Sequence, residues 1–159
     1  MKKFLVASIV IAFFGFAYAQ FGFWTYNKKI DPITDKDTSS IINFGKEFGY
    51  KQPSLILRCD GKTIREVYIN FDEFMNTDSF SVVYRVEKNK PVAGIWNNST
   101  DGTASFMPKE MIKAFVKAVK SGNNVIFRGE DYQGTSHTVA FETKGFNSAI
   151  QKLVCFKGY

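Results

Sequence analysis

The stretch LILRCDGKTIREVYINF, residues 55–71, predicts a β-hairpin. Apolar and β-branched residues recur on both sides of Asp60-Gly61, as they do in paired strands. Asp60-Gly61 suits the centre of a two-residue type I′ turn, in which both central residues need positive φ. This turn would place Cys59 opposite Lys62. The apolar residues beyond the turn then change phase, so the pattern also predicts a β-bulge near Arg65-Glu66.

The remainder of the chain continues this β pattern and adds one clear helix. Alternating apolar residues predict further strands near residues 23–26, 40–48, 80–86, 92–97, 103–106, 125–128 and 137–143. Pro108 to Lys120 has the periodicity of an amphipathic helix, and a short final helix is predicted from Gly145. We therefore expect a mainly β fold with one or two helices (α+β). Its architecture would be an antiparallel β-sandwich or curved sheet with a packed amphipathic helix.

The N-terminal residues have the three parts of a secretory signal peptide. Lys2 and Lys3 precede an apolar run, and Ala17-Tyr18-Ala19 forms an A-x-A cleavage site before Gln20. The run is short for a membrane span of about 20 residues. We expect cleavage between Ala19 and Gln20, so that residues 1–19 are removed and residues 20–159 form a single domain in the periplasm or outside the cell.

Composition narrows the classes of partner. Loss of Lys2 and Lys3 lowers the formal net charge from +6 to +4. The excess is mild and spread along the chain, and no basic run is interleaved with aromatic residues, so nucleic acid is not an expected partner. No later segment has the length and apolarity of a membrane span.

One cluster of positive charge falls on the predicted helix. Lys109, Lys113, Lys117 and Lys120 lie close together on the side opposite its apolar residues. Such a stripe is usually a solvated face. The alternative is a surface patch that contacts an anionic component of the cell envelope.

The two cysteines, Cys59 and Cys155, allow one intramolecular bridge. Export to an oxidising compartment favours a disulfide between them. Two other roles remain open at this point. A zinc site would need more ligands than one histidine and two distant cysteines provide. A catalytic dyad of Cys59 with His137 is conceivable.

Other chemically active residues give weak signals. His137 is the single histidine, and Ser136 and Thr138 beside it do not form a nucleophile motif. Asp72, Glu73 and Asp78 could bind a cation, although a solvated acidic loop is the simpler interpretation. We therefore assign no catalytic, cofactor-binding or metal-ligating residues, and we expect no cofactor.

An ordered set of short motifs resembles the VasI/TagO family of type VI secretion-associated proteins. The set covers most of residues 20–159. Its members are Trp24 with Asp31–Asp35, Pro53–Cys59, Val83-Tyr84-Arg85, Trp96 with Ser99–Gly102 and Phe106, and Phe141 with Gly145-Phe146 and Cys155.

The resemblance implies an exported bacterial protein with a VasI-like β-rich domain, and both cysteines occupy positions that match the family. Together with the absence of a convergent set of catalytic residues, it favours a non-enzymatic accessory protein that binds an envelope protein or a peptidoglycan-associated component. The alternative is an exported inhibitor or immunity-type protein, of bacterial, phage or mobile-element origin, that blocks an envelope enzyme or toxin.

Overall fold

A computed structural model describes residues 24–45 and 51–158. The predicted signal peptide and its cleavage site at Ala19 and Gln20 lie outside the described residues. Within these two ranges the nine strands are β1 Trp24–Asn27, β2 Ser40–Phe44, β3 Ser54–Asp60, β4 Thr63–Asn70, β5 Phe80–Val86, β6 Val92–Asn98, β7 Ala104–Phe106, β8 Asn124–Glu130 and β9 Ser136–Glu142. The described residues also form two α-helices, α1 Lys109–Ser121 and α2 Phe146–Ile150, which are followed by a 3₁₀ helix at Val154–Gly158.

The strands form one antiparallel sheet in the order β1-β2-β3-β4-β7-β6-β5-β8-β9. The expectation of a mainly β, antiparallel fold with helices packed on it is confirmed. Of the two architectures that were expected, the curved single sheet is the one observed. Strand β7 is only three residues long and joins two hairpins, since it pairs with β4 on one side and with β6 on the other.

The sheet curls so that its last strand approaches its second. The amide of Asn43 in β2 donates a hydrogen bond of 2.6 Å to the carbonyl of Glu142 in β9. Gly45, just after β2, lies so close to β9 that an added Cβ would be 3.1 Å from the ring of Phe141. The curvature encloses one apolar core, to which α1 contributes Ile112, Phe115, Val116 and Val119.

The central hairpin, β3–β4, differs from the predicted one by one residue at its turn. Asp60 pairs with Thr63, so the loop is Gly61-Lys62 and not Asp60-Gly61. Gly61 has a φ of 61°, the positive value that a type II′ turn requires at its first central position.

The physical reason for this register lies in burial. Directly paired residues share a face of the sheet. The observed register pairs Cys59 with Ile64, which are 1% and 4% exposed, whereas the predicted register would have put Lys62 beside Cys59. The predicted bulge is confirmed, because no residue of β3 pairs with Arg65, which lies between the Cys59–Ile64 and Arg58–Glu66 pairs.

The C-terminal segment is joined to this hairpin. The sulfur atoms of Cys59 and Cys155 are bonded, with the two Cα atoms 5.6 Å apart and the residues 96 positions apart in sequence. Cys155 lies in the 3₁₀ helix after α2 and is fully buried, as is Cys59. The bond ties the last described residues to the end of β3. None of the helices in the described ranges combines the length and apolarity needed to cross a membrane.

Candidate functional site

Two loops meet at one end of the sheet and form the most structured candidate site. The first loop connects β4 to β5 (residues 71–79), and the second connects β8 to β9 (residues 131–135). The backbone N–H of Tyr132 in the second loop donates to the carbonyl of Met75 in the first, at 2.7 Å. Met75 is fully buried and its own N–H donates to the carbonyl of Gly102 at 2.8 Å. The two loops are therefore fixed to each other and to the core.

His137 connects the same two loops through its side chain. Its Nδ1 lies 2.9 Å from Glu73 Oε2 in the first loop, and its Nε2 lies 2.8 Å from Asp131 Oδ2 in the second. A neutral imidazole carries one N–H, whereas an imidazolium carries two. Both contacts are therefore hydrogen bonds at the same time when His137 is protonated, or when one carboxyl carries the proton.

Asp131 organises the second loop as well as binding His137. Its Oδ1 accepts hydrogen bonds from the backbone N–H groups of Gln133 and Thr135, at 2.8 and 2.9 Å. The hydrogen bond from His137, followed by that from Thr135, holds the pKa of the Asp131 carboxyl below its usual value. An ionised Asp131 thus fixes a tight turn of five residues.

Glu73 is shared between His137 and a lysine. Lys51 Nζ lies 2.5 Å from Glu73 Oε1, the carboxylate oxygen that His137 does not contact. Lys51, Glu73 and His137 line a cleft of about 580 Å³ between β9 and the segment that leads into β3. Glu73 is therefore engaged on both of its oxygens, whereas Asp72 and Asp78, the other members of the predicted acidic loop, are exposed.

Two exposed aromatic rings stand directly beside these charged groups. Phe74 follows Glu73, and Tyr132 follows Asp131; their rings meet edge to face with centroids 5.4 Å apart. Phe74 is 46% exposed and Tyr132 is 61% exposed. The Tyr132 hydroxyl accepts a hydrogen bond of 2.8 Å from the side-chain amide of Gln133. We call Phe74, Tyr132 and Gln133 the loop surface.

The arrangement around His137 favours a structural role for that residue. Among the described residues, both of its ring nitrogens face carboxylates, and neither contacts a hydroxyl or thiol. Thr138 is turned elsewhere, since its hydroxyl accepts from Arg128 Nε at 3.0 Å. The Cys59–His137 dyad is excluded in this state, because the Cys59 sulfur is bonded to Cys155. No group of three or more His, Cys, Asp or Glu side chains in the described ranges is arranged to hold a metal ion.

The predicted lysine patch divides into two environments. All four lysines are exposed. Lys113, Lys117 and Lys120 line a groove of about 280 Å³ together with Phe156. Lys109 lies apart from them, in a depression that also contains Asp60 and Arg65 at the turn of the β3–β4 hairpin.

The contacts of His137 with Glu73 and Asp131 have no local signal in the sequence. Asp131 and Glu73 are far apart in the chain, and nothing in their spacing places them on one histidine. Two features could have suggested the site. They are the single histidine of the chain and the position of aromatic residues next to acidic residues in two turn-rich segments, DEFMN and EDYQG.

Comparison with known proteins gives a likeness of fold. No protein-family model matches the chain, and no curated protein matches it. The structure is similar to the crystal structure of invasion associated protein B from Bartonella henselae, with a TM-score of 0.53 and 14% sequence identity. The superposition covers 87% of this chain and 96% of that protein.

Proposed function

We propose that this protein is an exported, non-enzymatic accessory protein of the bacterial envelope, resembling the type VI secretion-associated VasI proteins, that binds another envelope protein. The observation that supports binding is the loop surface, in which two exposed aromatic rings lie beside Glu73 and Asp131, the two carboxylates that His137 contacts. Phenylalanine and tyrosine supply large contact areas at interfaces, and exposed clusters of them commonly mark binding sites.

The rigidity of the loop surface favours binding on energetic grounds. A partner that binds mobile loops must offset the entropy lost when they become ordered. Here the Tyr132–Met75 hydrogen bond and the contacts of His137 already hold both loops in place. The backbone that carries the aromatic rings is therefore held in place before any partner arrives.

Affinity capture from envelope extracts tests the proposal. We expect the double variant Phe74→Ala/Tyr132→Ala to lower recovery of the bound partner by about tenfold or more, as truncation of interface hot spots does. Ile95→Ala is the matched control, because Ile95 is 62% exposed on β6 and lies outside the loop surface. Equal recovery with the double variant and with the control would contradict the proposal.

Export is the second part of the proposal and has its own test. It rests on the signal-peptide pattern of residues 1–19 and on the paired cysteines, which suit an oxidising compartment. The intact mass of the protein recovered from the envelope should correspond to residues 20–159, with or without cyclisation of Gln20. A full-length mass in the membrane fraction would contradict cleavage.

The alternative proposal is an inhibitor or immunity-type protein that blocks an envelope enzyme or toxin. The observation that favours it is the turn at residues 131–135, which Asp131 braces with two backbone hydrogen bonds and which carries Tyr132 at 61% exposure. A rigid loop that presents one large side chain can fill the active site of an enzyme. The same capture experiment separates the two proposals. Under the alternative, the recovered partner is an enzyme or toxin whose activity falls on addition of the protein, and Tyr132→Ala restores that activity.

A further inference from the structure

A second surface, remote in sequence from the loop surface, has the properties of a binding groove. It lies between the exposed side of α1 and the 3₁₀ helix at the C-terminus. Its walls are Lys113, Lys117 and Lys120 on α1 and Phe156 on the 3₁₀ helix, with Val116 at its base. We call it the lysine groove.

The lysine groove is formed in advance of any ligand. Phe156 directly follows Cys155, whose disulfide to Cys59 fixes this turn against the end of β3. The ammonium of Lys120 lies 4.9 Å from the centroid of the Phe156 ring, a cation–π distance. Val116 is 2% exposed and anchors the base of the groove in the core. The apolar part of the groove is therefore in place before binding, whereas the exposed lysine side chains lose rotamer freedom when they pair with a ligand.

The charge of the lysine groove is not neutralised within the described part of the chain. Lys51, Arg58 and Arg65 each form an ion pair with a carboxylate. In contrast, Lys113, Lys117 and Lys120 form no salt bridge with any described residue, and no described carboxylate lines the groove. Three ammonium groups beside an aromatic ring are complementary to a ligand that combines negative charge with an apolar group.

The lysine groove is small. Its volume of about 280 Å³ lies at the lower end of the range of about 300–1,000 Å³ that is usual for small-molecule and cofactor sites. It has room for one amino-acid side chain, and its three ammonium groups favour acidic residues on either side of that side chain. A membrane surface is disfavoured, because the Phe156 ring is only partly exposed and has the ammonium of Lys120 4.9 Å from its centroid, whereas interfacial binding needs apolar side chains that protrude.

We propose that the lysine groove binds an acidic peptide segment of a partner protein. One apolar side chain of the segment occupies the groove against Phe156, and flanking carboxylates pair with Lys113, Lys117 and Lys120. This proposal goes beyond the proposed function and is independent of it, since the groove shares no residue with the loop surface.

The test uses short synthetic peptides and the purified protein. The probe is a blocked pentapeptide, Glu-Glu-Phe-Glu-Glu, and the control peptides replace its phenylalanine by alanine or its glutamates by lysines. Binding is followed by fluorescence anisotropy at several salt concentrations and by NMR shifts of the backbone amides. We expect the acidic phenylalanine peptide to bind most tightly, with shifts at Val116, Lys117 and Phe156.

Two triple variants give the matched comparison. We expect Lys113→Gln/Lys117→Gln/Lys120→Gln to weaken binding by about tenfold and to reduce its salt dependence. The control, Lys62→Gln/Lys88→Gln/Lys90→Gln, removes the same charge from exposed turn lysines that do not line the groove, and we expect a change of less than about twofold. Changing the peptide as well as the protein keeps the comparison valid if a variant is destabilised.

Several outcomes would overturn the proposal. An equal loss with both triple variants, or equal binding of the alanine peptide, would show nonspecific charge attraction. Absence of binding at about 1 mM peptide would exclude a useful affinity. Groove-dependent binding to vesicles of phosphatidylglycerol without binding of the acidic peptide would identify a membrane contact instead. None of these results bears on the loop surface, which the Phe74→Ala/Tyr132→Ala variant tests separately.

Discussion

Gly102 sits at a position that allows no side chain. Its φ is +69°, and an added Cβ would lie 2.5 Å from the ring of Phe74 and 3.0 Å from the carbonyl oxygen of Asn76. Phe74 therefore rests directly on the backbone of this turn, and the orientation of the loop surface depends on Gly102. The glycine of the Ser99–Gly102 motif has a structural role in presenting an aromatic residue.

We expect Gly102→Ala to destabilise the protein and to displace Phe74. The left-handed backbone alone costs an alanine about 1–2 kcal/mol, and the contact with Phe74 adds to that cost. Gly134→Ala is the matched control, since Gly134 has a φ of +81° and an added Cβ there would meet only open space. Urea unfolding should therefore give a larger loss for Gly102→Ala than for Gly134→Ala. Equal losses would mean that Phe74 does not depend on this contact.

Asp131 makes the stability of the protein sensitive to acid. Because its pKa in the folded protein is lowered, its contribution to stability is complete above the unfolded-state pKa of about 3.9. That contribution is lost as the pH falls through the lower folded-state value. We expect Asp131→Asn to lower the free energy of unfolding at pH 7 and to have a progressively smaller effect as the pH falls below about 3.9. Unfolding titrations of both proteins across this range provide the measurement, and a difference independent of pH would contradict the assignment.

At the scale of the elements, the alternation of buried and exposed residues is the most informative feature of the sequence. It predicts strand β5 with the bounds that the structure shows, because Val82, Tyr84 and Val86 are buried while Ser81 and Arg85 are exposed. Helix α1 is predicted in the same way, from apolar residues that recur with the helical period of about 3.6 residues. These patterns are local, because the alternation of buried and exposed residues can be recognised within the sequence of a single strand or helix.

Pairing between distant elements is not predictable in the same way. Strand β7 is predicted near residues 103–106, but no local pattern shows that it pairs with both β4 and β6. The contacts of His137 with Glu73 and Asp131 likewise depend on the order of strands in the sheet and not on any local pattern. The one-residue shift at Gly61-Lys62 shows the same limit, because burial of Cys59 and Ile64 outweighs the preference of Asp60-Gly61 for a type I′ turn.

Asn43 provides a test of the contact between strands that are not neighbours. It is fully buried, and its donated hydrogen bond to Glu142 connects β2 with β9. We expect Asn43→Ala to cost about 1–3 kcal/mol, because the part-buried hydrogen bond to the carbonyl of Glu142 is lost. Asn43→Asp should cost more, since an ionised carboxylate cannot donate and would be buried. Asn97→Ala is the control at an exposed position in β6. Similar stability of all three variants would show that the contact contributes little.

At the scale of the whole molecule, the first strand and the C-terminal segment of the curled sheet are held by contacts between residues that are distant in sequence. Helix α2 packs on the first strand through Trp24 and Phe146, whose ring centroids are 4.9 Å apart. The 3₁₀ helix then returns to the centre of the sheet through Cys155. The chain therefore crosses from one edge of the sheet to its central hairpin in its final residues. The disulfide holds this return path in place and with it Phe156 of the lysine groove.

The last prediction concerns this disulfide. It closes a loop across 96 positions of the sequence, and in the chain-entropy model a loop of about 100 residues is worth about 4.7 kcal/mol, with smaller values common in practice. We expect Cys59→Ser, Cys155→Ser and the double variant to lose similar amounts of stability, because each lacks the same bond. Reduction of the wild-type protein should have a comparable effect. Thiol labelling of the denatured, unreduced protein should detect no free thiol. A wide difference between the two single variants, or rapid reaction of Cys59 alone in the folded protein, would contradict the bond and would reopen a nucleophilic role for Cys59.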